Sequence, residues 1–281
     1  MEIARTVEEA RRIVRGWKKE GLEIGLVPTM GYLHEGHGSL IAAARKENAR
    51  VAVSIFVNPT QFGPNEDLAR YPRDFERDSA LCEKMGADLI FHPEPEDMYQ
   101  GAQAFVDIGL LASTLDGAAR PGHFRGVCTV VSKLFNIVQP DRAYFGEKDA
   151  QQLAIIKKMA FDLNFGVQVI GCPIVREDDG LAKSSRNTYL NAAERAAAPV
   201  LYRAIQHGKS MIKKGMPSQQ LADAMKTVLA AEPLAKIEYV AVVDAMTMQP
   251  VDTIDRPVLV PLAVRVGSTR LIDNFSFAPE A

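Results

Sequence analysis

Cysteine is scarce in this sequence, and long apolar segments are missing. The 281 residues include three cysteines, Cys82, Cys128 and Cys172, which lie far apart along the chain. This spacing fits neither a disulfide framework nor a C-x-x-C metal site, so we expect free thiols in a reducing compartment. The apolar runs at residues 51–57 and 258–264 are far shorter than the roughly 20 residues that cross a membrane as a helix.

Blocks of like charge are also missing. The 33 basic and 35 acidic residues are spread along the chain and leave a formal net charge of −2, whereas nucleic-acid and membrane-surface proteins carry clustered basic residues. Charged residues interrupt the N-terminal segment as well, so it lacks the apolar core of a signal peptide. The sequence therefore predicts a cytoplasmic protein that binds neither nucleic acid nor membrane.

Short apolar strands alternate with helical segments in the first part of the chain. Helices are predicted from Val7, after a capping box of Thr6 and Glu9, and near residues 39–47, 74–85 and 150–163. Strands are predicted near residues 23–27, where Pro28 is expected to end the strand, and near residues 51–57, 88–91, 142–145 and 167–170. This alternation is typical of βαβ units, so residues 1–176 are predicted to form a Rossmann-like α/β domain with a doubly wound parallel sheet.

The pattern changes after the polar segment 176–180. Helical stretches at residues 192–214 and 218–231 precede β-rich segments near residues 237–243, 258–266 and 271–277, without regular alternation. Residues 177–281 are therefore predicted to form a smaller C-terminal α+β domain, and the composition of the polar segment suits an exposed turn or a hinge.

Ligands of open parallel sheets bind beyond the carboxyl ends of the strands, and a glycine-rich segment follows the first strand there. Residues 28–37 contain His34 and His37 at the start of a predicted helix. Free N–H groups and the helix dipole attract phosphate at such a position. The alternative is a glycine-rich turn with two solvated histidines. A zinc site is disfavoured, because His-Glu-Gly-His is one residue shorter than the His-Glu-x-x-His pattern.

Three further segments carry polar groups at strand ends or at the domain junction. Asn58 and Gln61 could bind a substrate with hydroxyl and carboxylate groups, or form an ordinary Asn-Pro turn. Gly146 and Lys148 could approach and neutralise a phosphate, or belong to a solvated turn. Residues 183–186, Lys-Ser-Ser-Arg, suit a triphosphate, or form a helix cap with surface charges.

Several longer strings resemble one enzyme family. His34-Glu-Gly-His37 resembles the H-x-G-H signature of the nucleotidyltransferase superfamily, and strings across the whole chain resemble the pantothenate synthetase (pantoate-β-alanine ligase) family. They are VPTMGYLHEGH at 27–37, VSIFVNPTQFG at 53–63, RPGHFRG at 120–126, YFGEKDAQQ at 144–152 and VREDDGLAKSSRN at 175–187.

This resemblance implies an AMP-forming ligase that joins (R)-pantoate to β-alanine through a pantoyl-adenylate, with Mg²⁺ accompanying ATP, in a homodimer. It assigns residues 1–176 to ATP and pantoate binding and residues 177–281 to a lid. It implies catalytic roles for His34, His37, Lys148 and Arg186. For ATP it implies Met30, Gly31, Tyr32, Leu33, His34, Glu35, Gly36, His37, Gly146, Glu147, Lys148, Asp149, Val175, Lys183, Ser184, Ser185 and Arg186. For pantoate and β-alanine the expected residues are Met30, Asn58, Gln61 and Gln152.

Two positions depart from the family pattern. Lys183 stands where methionine is common and is expected to add charge near the triphosphate, and Gly38 follows His37 where a bulkier residue is usual and is expected to loosen the helix start. Asp78 is a weak candidate for a magnesium contact. The alternative function is an H-x-G-H nucleotidyltransferase that stops at the nucleotidylated product.

Overall fold

A capping box starts the first helix of the chain. In the computed structural model, which describes residues 1–64 and 66–279, Thr6 Oγ1 accepts the N–H of Glu9 at 3.2 Å, and the Glu9 carboxylate accepts the N–H of Thr6 at 3.1 Å. Helix α1 (Val7–Lys19) follows and buries one face against the core. The predicted cap is confirmed.

A parallel sheet forms the centre of the N-terminal part of the chain. Six strands pair in parallel within the described residues, in the order β1-β4-β3-β2-β5-β6. They are β1 (Glu2–Ala4), β2 (Ile24–Thr29), β3 (Arg50–Ile55), β4 (Leu89–Phe91), β5 (Arg142–Gly146) and β6 (Gln168–Cys172). The order reverses between β2 and β5, and ligands of doubly wound sheets bind at this kind of reversal.

Helices alternate with these strands along the chain. They are α2 (Glu35–Glu47), α3 (Phe75–Lys84), α4 (Pro95–Tyr99), α5 (Leu115–Ala119), α6 (His123–Val138) and α7 (Ala150–Asp162). The core beside β2 and β3 contains fully buried aliphatic residues, including Val27, Ile41, Val51, Val53 and Ile90. This pattern of strands buried on both faces agrees with the predicted α/β class.

Two details of this part differ from the sequence-based expectation. Pro28 does not end the second strand, since β2 continues to Thr29 and Pro28 pairs with Ser54 of β3. The pairing of β2 with β5 covers Gly25 and Leu26. Pro28 therefore lies past it, where the missing N–H of proline costs the sheet little. The long helix α6, the edge strand β1 and the short helices α4 and α5 were not predicted.

An antiparallel sheet organises the C-terminal part. Strands β7 (Ala235–Val240), β9 (Val258–Val266) and β10 (Thr269–Phe277) pair in the order β10-β9-β7, and β8 (Val243–Asp244) pairs with β9. The helices are α8 (Ala192–Ala197), α9 (Val200–Met211) and α10 (Ser218–Ala230). One helix was predicted over 192–214. Two are present, because Pro199 stands between them and proline cannot continue a helix. The α/β fold with a smaller α+β part is confirmed.

The described chain divides into two compact units. The first unit comprises Met1–Ala112, Gly117–Glu147 and Gln152–Pro173. The second unit comprises Ser113–Asp116, Lys148–Gln151 and the chain from Ile174 onward. The functional division at residue 176, into a nucleotide-binding domain and a lid, stays a prediction. Among residues 1–64 and 66–279, no helix is both long enough and apolar enough to cross a bilayer.

Candidate active site

The turn between β2 and α2 is held by a buried carboxylate. Gly31 and Tyr32 both have positive φ angles, 82° and 51°. Asp78 of α3 is 1% exposed, and its two oxygens accept the N–H groups of Tyr32 and Leu33 at 2.7 and 2.6 Å. Burial raises the pKa of the Asp78 carboxyl above its usual range, although the two N–H groups oppose the rise. Asp78 therefore shapes the segment that carries the two histidines.

His34 and His37 form a reciprocal cap at the start of α2. His34 Nδ1 accepts the N–H of Gly36 at 3.1 Å, and His37 Nδ1 accepts the N–H of His34 at 3.3 Å. Their ring centroids are 4.1 Å apart. A neutral imidazole that accepts at Nδ1 carries its proton on Nε2. The backbone thus selects the Nε2–H tautomer of both rings, which makes each Nε2 a hydrogen-bond donor.

Gly38 leaves the helix start intact. Its N–H donates to the carbonyl of His34 at 3.0 Å, which closes the first regular turn of α2. A Cβ atom at this position would meet the side chain of Met85 at 3.7 Å, an ordinary van der Waals distance. The first hydrogen bond of the helix is therefore present despite the expected loosening at Gly38. A larger residue also has room at this position.

Asn58 caps the 3-10 turn Pro59–Gln61, which follows β3, and supports Gln61. The Asn58 side chain is 1% exposed, and its Nδ2 donates to Gln61 Oε1 at 3.0 Å. Tyr99 donates its hydroxyl to Asn58 Oδ1 at 2.8 Å. With Oε1 of Gln61 turned toward Asn58, its Nε2 lies 3.1 Å from Met30 Sδ. In the first unit the structure thus brings the predicted acid-binding Gln61 against the predicted nucleotide segment.

The second unit holds Lys148 and the 175–183 hairpin through consecutive residues of β10. Asn274 Nδ2 donates to the carbonyl of Lys148 at 2.9 Å. Asp273, with a side chain 1% exposed, accepts two hydrogen bonds from the Arg176 guanidinium at 2.7 and 2.9 Å. Lys183 donates its backbone N–H to the carbonyl of Val175 at 3.0 Å, which closes the hairpin.

The two lysines of the second unit that were predicted to bind phosphate lie near carboxylates. Lys148 Nζ lies 3.1 Å from Asp149, and Lys183 Nζ lies 3.1 Å from Glu177. Glu177 offsets the extra positive charge that was expected from Lys183. Ser184 caps the 3-10 turn Ser185–Tyr189 by accepting the N–H of Arg186 at 3.3 Å.

The remaining predicted site residues lie in these same segments. Glu35 and Gly36 open α2, Gly146 ends β5, Glu147 lies in the following 3-10 turn, and Gln152 lies half-buried on α7. Their contacts with a ligand stay predictions. In the part of the chain that the structure describes, no group of three or more His, Cys, Asp or Glu side chains could hold a metal ion.

Some supporting residues were missed or undervalued from the sequence. The positioning role of Asp78 and the contact from Tyr99 had no local signal, because both partners are distant in sequence. Helix α6 did have a local sequence signal, since its apolar residues recur at helical spacing and its start overlaps the family string at 120–126. Gly126 of α6 lies so close to the turn after Asn58 that a Cβ atom there would clash with the Thr60 carbonyl oxygen.

Comparison with known proteins gives consistent matches along the chain. The family model described as Pantoate-beta-alanine ligase matches residues 2–276. A pantothenate synthetase from Ruminiclostridium cellulolyticum is 61% identical over 282 residues, which cover 100% of both chains. The crystal structure of a pantothenate synthetase from Thermus thermophilus has a TM-score of 0.91 and 46% identity, covering 98% of this chain and 99% of that one.

A ligand complex is among the similar structures. The pantoate-β-alanine ligase from Francisella tularensis, described as complexed with beta-gamma ATP and β-alanine, has a TM-score of 0.81. It is 35% identical, and the match covers 98% of this chain and 97% of that chain.

Proposed function

This chain belongs to the pantoate-β-alanine ligase family, which joins pantoate to β-alanine with ATP to make pantothenate, and we propose that it does so through a pantoyl-adenylate. It is a ligase that forms an amide bond. A pantoate carboxylate oxygen attacks the α-phosphorus of ATP, and the bond to pyrophosphate breaks. The β-alanine amine then attacks the acyl carbon, loses a proton, and AMP leaves with the former carboxylate oxygen.

The close approach of Gln61 to Met30 carries this proposal. The Nε2 atom of Gln61 lies 3.1 Å from Met30 Sδ, so the donor of the acid subsite is next to the segment assigned to the nucleotide. Because Oε1 is engaged by Asn58, Gln61 offers N–H donors, which suit the carboxylate and hydroxyl oxygens of pantoate. We assign Gln61, Gln152 and Met30 to the acids, and Asn58 a supporting role behind Gln61.

His34 and His37 are proposed to donate from Nε2 to phosphate oxygens of ATP. Their Nδ1 atoms accept backbone N–H groups, which supports a fixed neutral tautomer and needs no reorganisation during reaction. Positive charge near the triphosphate would come from Lys148 and Arg186, with Ser184 and Ser185 as hydroxyl donors. Arg186 is suited to bidentate contact with phosphate oxygens. These groups stabilise developing charge, so no side-chain nucleophile is required.

Other ATP contacts are carried over as proposals. They comprise residues 30–37, Gly146 to Asp149, Val175 beside the adenine, and Lys183. Magnesium is proposed to arrive with ATP, ligated mainly by phosphate oxygens, since Mg²⁺ keeps several waters and few protein ligands in such sites. The engagement of both Asp78 oxygens by backbone N–H groups makes Asp78 a poor magnesium ligand.

Location and assembly are also proposals. The described cysteines Cys82, Cys128 and Cys172 are free and buried, which supports a reducing, cytoplasmic location. The family resemblance implies a homodimer, and this assembly is part of the proposal. Sedimentation velocity at micromolar concentration tests this, and a single-chain mass at all concentrations would refute the dimer.

A release assay tests the proposed reaction. Purified protein is incubated with Mg-ATP and pantoate, with and without β-alanine, and pyrophosphate, AMP and pantothenate are measured. We expect pantoate-dependent pyrophosphate in both mixtures, and AMP with pantothenate only after β-alanine is added. Pyrophosphate without any amine-dependent AMP would favour a nucleotidyltransferase instead.

A further inference from the structure

A buried histidine contacts the backbone of the acid-binding turn. His123, the first residue of α6, is 8% exposed, and its Nδ1 lies 2.8 Å from the carbonyl oxygen of Gln61. The other ring nitrogen, Nε2, lies 2.9 Å from a guanidinium nitrogen of Arg120. His123 therefore links α6 to the residue that is assigned to pantoate.

The partners of His123 fix its tautomer. A guanidinium group can only donate, so Nε2 must accept from Arg120, and a carbonyl oxygen can only accept, so Nδ1 must donate to Gln61. Only the neutral Nδ1–H form satisfies both contacts. This is the opposite tautomer to the one that the backbone selects in His34 and His37.

Arg120 is itself held by a carboxylate. Its Nε and a terminal nitrogen donate to the two oxygens of Glu66 at 2.7 and 2.6 Å, a bidentate pair with side chains 17% and 25% exposed. Burial of Glu66 opposes ionisation, but the hydrogen bond and charge of Arg120 prevail and lower the pKa of this carboxyl. The guanidinium is thus locked in the orientation that reaches His123.

Both ends of Gln61 are therefore fixed by protein groups. Its side-chain Oε1 accepts from Asn58, and its main-chain carbonyl accepts from His123. Asn58 also donates to the carbonyl of Gly126, one turn along α6 from His123. Helix α6 consequently sets the position of the turn at two points.

We propose that Glu66, Arg120 and His123 form a positioning chain that aims the Gln61 amide at pantoate. The string at 120–126 then serves the acid subsite through Gln61, without itself touching substrate. This inference rests on the proposed function, because it needs Gln61 to bind pantoate. It assigns roles to Glu66, Arg120 and His123 that neither their types nor their spacing in the sequence indicated.

Substitutions at His123 test the chain. In His123→Ala the Gln61 carbonyl loses its donor, and we expect the KM for pantoate to rise about tenfold, since a misplacement of about 1 Å can cost up to about 100-fold. The KM for ATP should stay within about twofold. His123→Asn keeps an N–H near the position of Nδ1 but loses the contact with Arg120. Its KM for pantoate should therefore lie between the values of wild type and of His123→Ala.

The link to Glu66 is tested by Arg120→Lys. A lysine retains the charge but lacks the fork that contacts Glu66 and His123 together, so the KM for pantoate should again rise. His207→Ala, at an exposed histidine of α9, is the matched control and should behave as wild type. Circular dichroism and the thermal midpoint establish that each variant is folded.

The results for the His123 variants, for Arg120→Lys and for the wild type test different parts of this proposal. Folded His123→Ala with a wild-type KM for pantoate, or with equal rises in the KM values for pantoate and ATP, overturns the positioning chain. A KM for pantoate in His123→Asn that is as high as in His123→Ala also overturns the positioning chain. A wild-type KM for pantoate in Arg120→Lys shows that Arg120 and Glu66 do not belong to the chain. If the wild type itself releases no pantoate-dependent pyrophosphate, the proposed function is wrong and the positioning chain falls with it.

Discussion

The segments that are proposed to bind phosphate use different chemical groups in the two units. In the first unit, His34 and His37 are neutral donors whose orientation is set by backbone N–H groups. In the second unit, Lys148 and Lys183 form ion pairs with Asp149 and Glu177. The first arrangement depends on hydrogen-bond geometry and the second on ion pairs. Salt should therefore weaken the proposed phosphate binding by groups of the second unit more than that by groups of the first.

The supports behind these segments differ in the same way. Asp78 holds the first segment through two main-chain N–H groups, and no cation is needed for its two contacts. Asp273 holds the hairpin of the second unit through a bidentate pair with Arg176. Removing the acid from the second kind of support leaves a guanidinium without its carboxylate partner, which is strongly destabilising when the pair is buried.

The largest effect is expected at His37. His37→Ala removes the Nε2–H donor, and we expect pantoate-dependent pyrophosphate release to fall about 100- to 1,000-fold, as for the loss of one preorganised donor. His37→Asn retains an acceptor near the position of Nδ1, so it should keep the helix cap but lose the same activity. Steady-state release rates and urea unfolding are measured for both.

Two outcomes would contradict the separate roles given to His37, which are donation from Nε2 and capping of α2 through Nδ1. Near-wild-type release by His37→Asn would show that the cap, rather than Nε2, matters for the reaction. Equal destabilisation of the Ala and Asn variants would show that the Nδ1 contact contributes nothing to α2.

The next largest effect concerns the ion-paired support of the second unit. Asp273→Asn leaves the Arg176 guanidinium without its carboxylate, and we expect a loss of about 3 kcal/mol in the free energy of unfolding. Urea denaturation measures it. Asp255→Asn is the control, because its pair with Arg256 is solvent-exposed, with side chains 52% and 55% accessible, and should show no measurable change. Similar results for the two variants would contradict the importance given to the buried pair.

A smaller, opposite effect is expected at the start of α2. Gly38→Ala should raise the free energy of unfolding by up to about 1 kcal/mol, because alanine is the better helix former and the new Cβ meets Met85 at an ordinary distance. The KM for ATP should not change if the cap is already formed around Gly38. A destabilised Gly38→Ala variant would mean that this position cannot accept the methyl group.

The smallest effect is in the pH dependence of stability. Since the pKa of Asp78 is raised in the fold, the native state binds more protons than the unfolded chain between the usual carboxyl pKa and the raised one. Asp78 therefore makes stability fall as pH rises through this window. In Asp78→Asn this contribution is gone, so the gain in stability from pH 4 to pH 7 should be larger than in wild type. An unchanged or smaller gain would show that the pKa is not raised.

Local patterns were sufficient for much of the architecture. The capping box at Thr6, the alternation of short strands and helices, and the glycine turn before His34 are encoded by residues close together in the chain. Their preferences act over one or two turns, so periodicity and capping rules recover them. The family strings placed the candidate site residues for the same reason, as each string is continuous in sequence.

Tertiary structure alone decided how those residues are supported. The contacts of Asp78 with Leu33, of Asn274 with Lys148 and of Glu66 with Arg120 join positions 45, 126 and 54 residues apart. The tautomers of His34, His37 and His123 likewise follow from which atoms face each ring nitrogen. Residue type and spacing identify a histidine as a candidate donor, but its donating nitrogen is set by partners that only the folded chain brings within hydrogen-bonding distance.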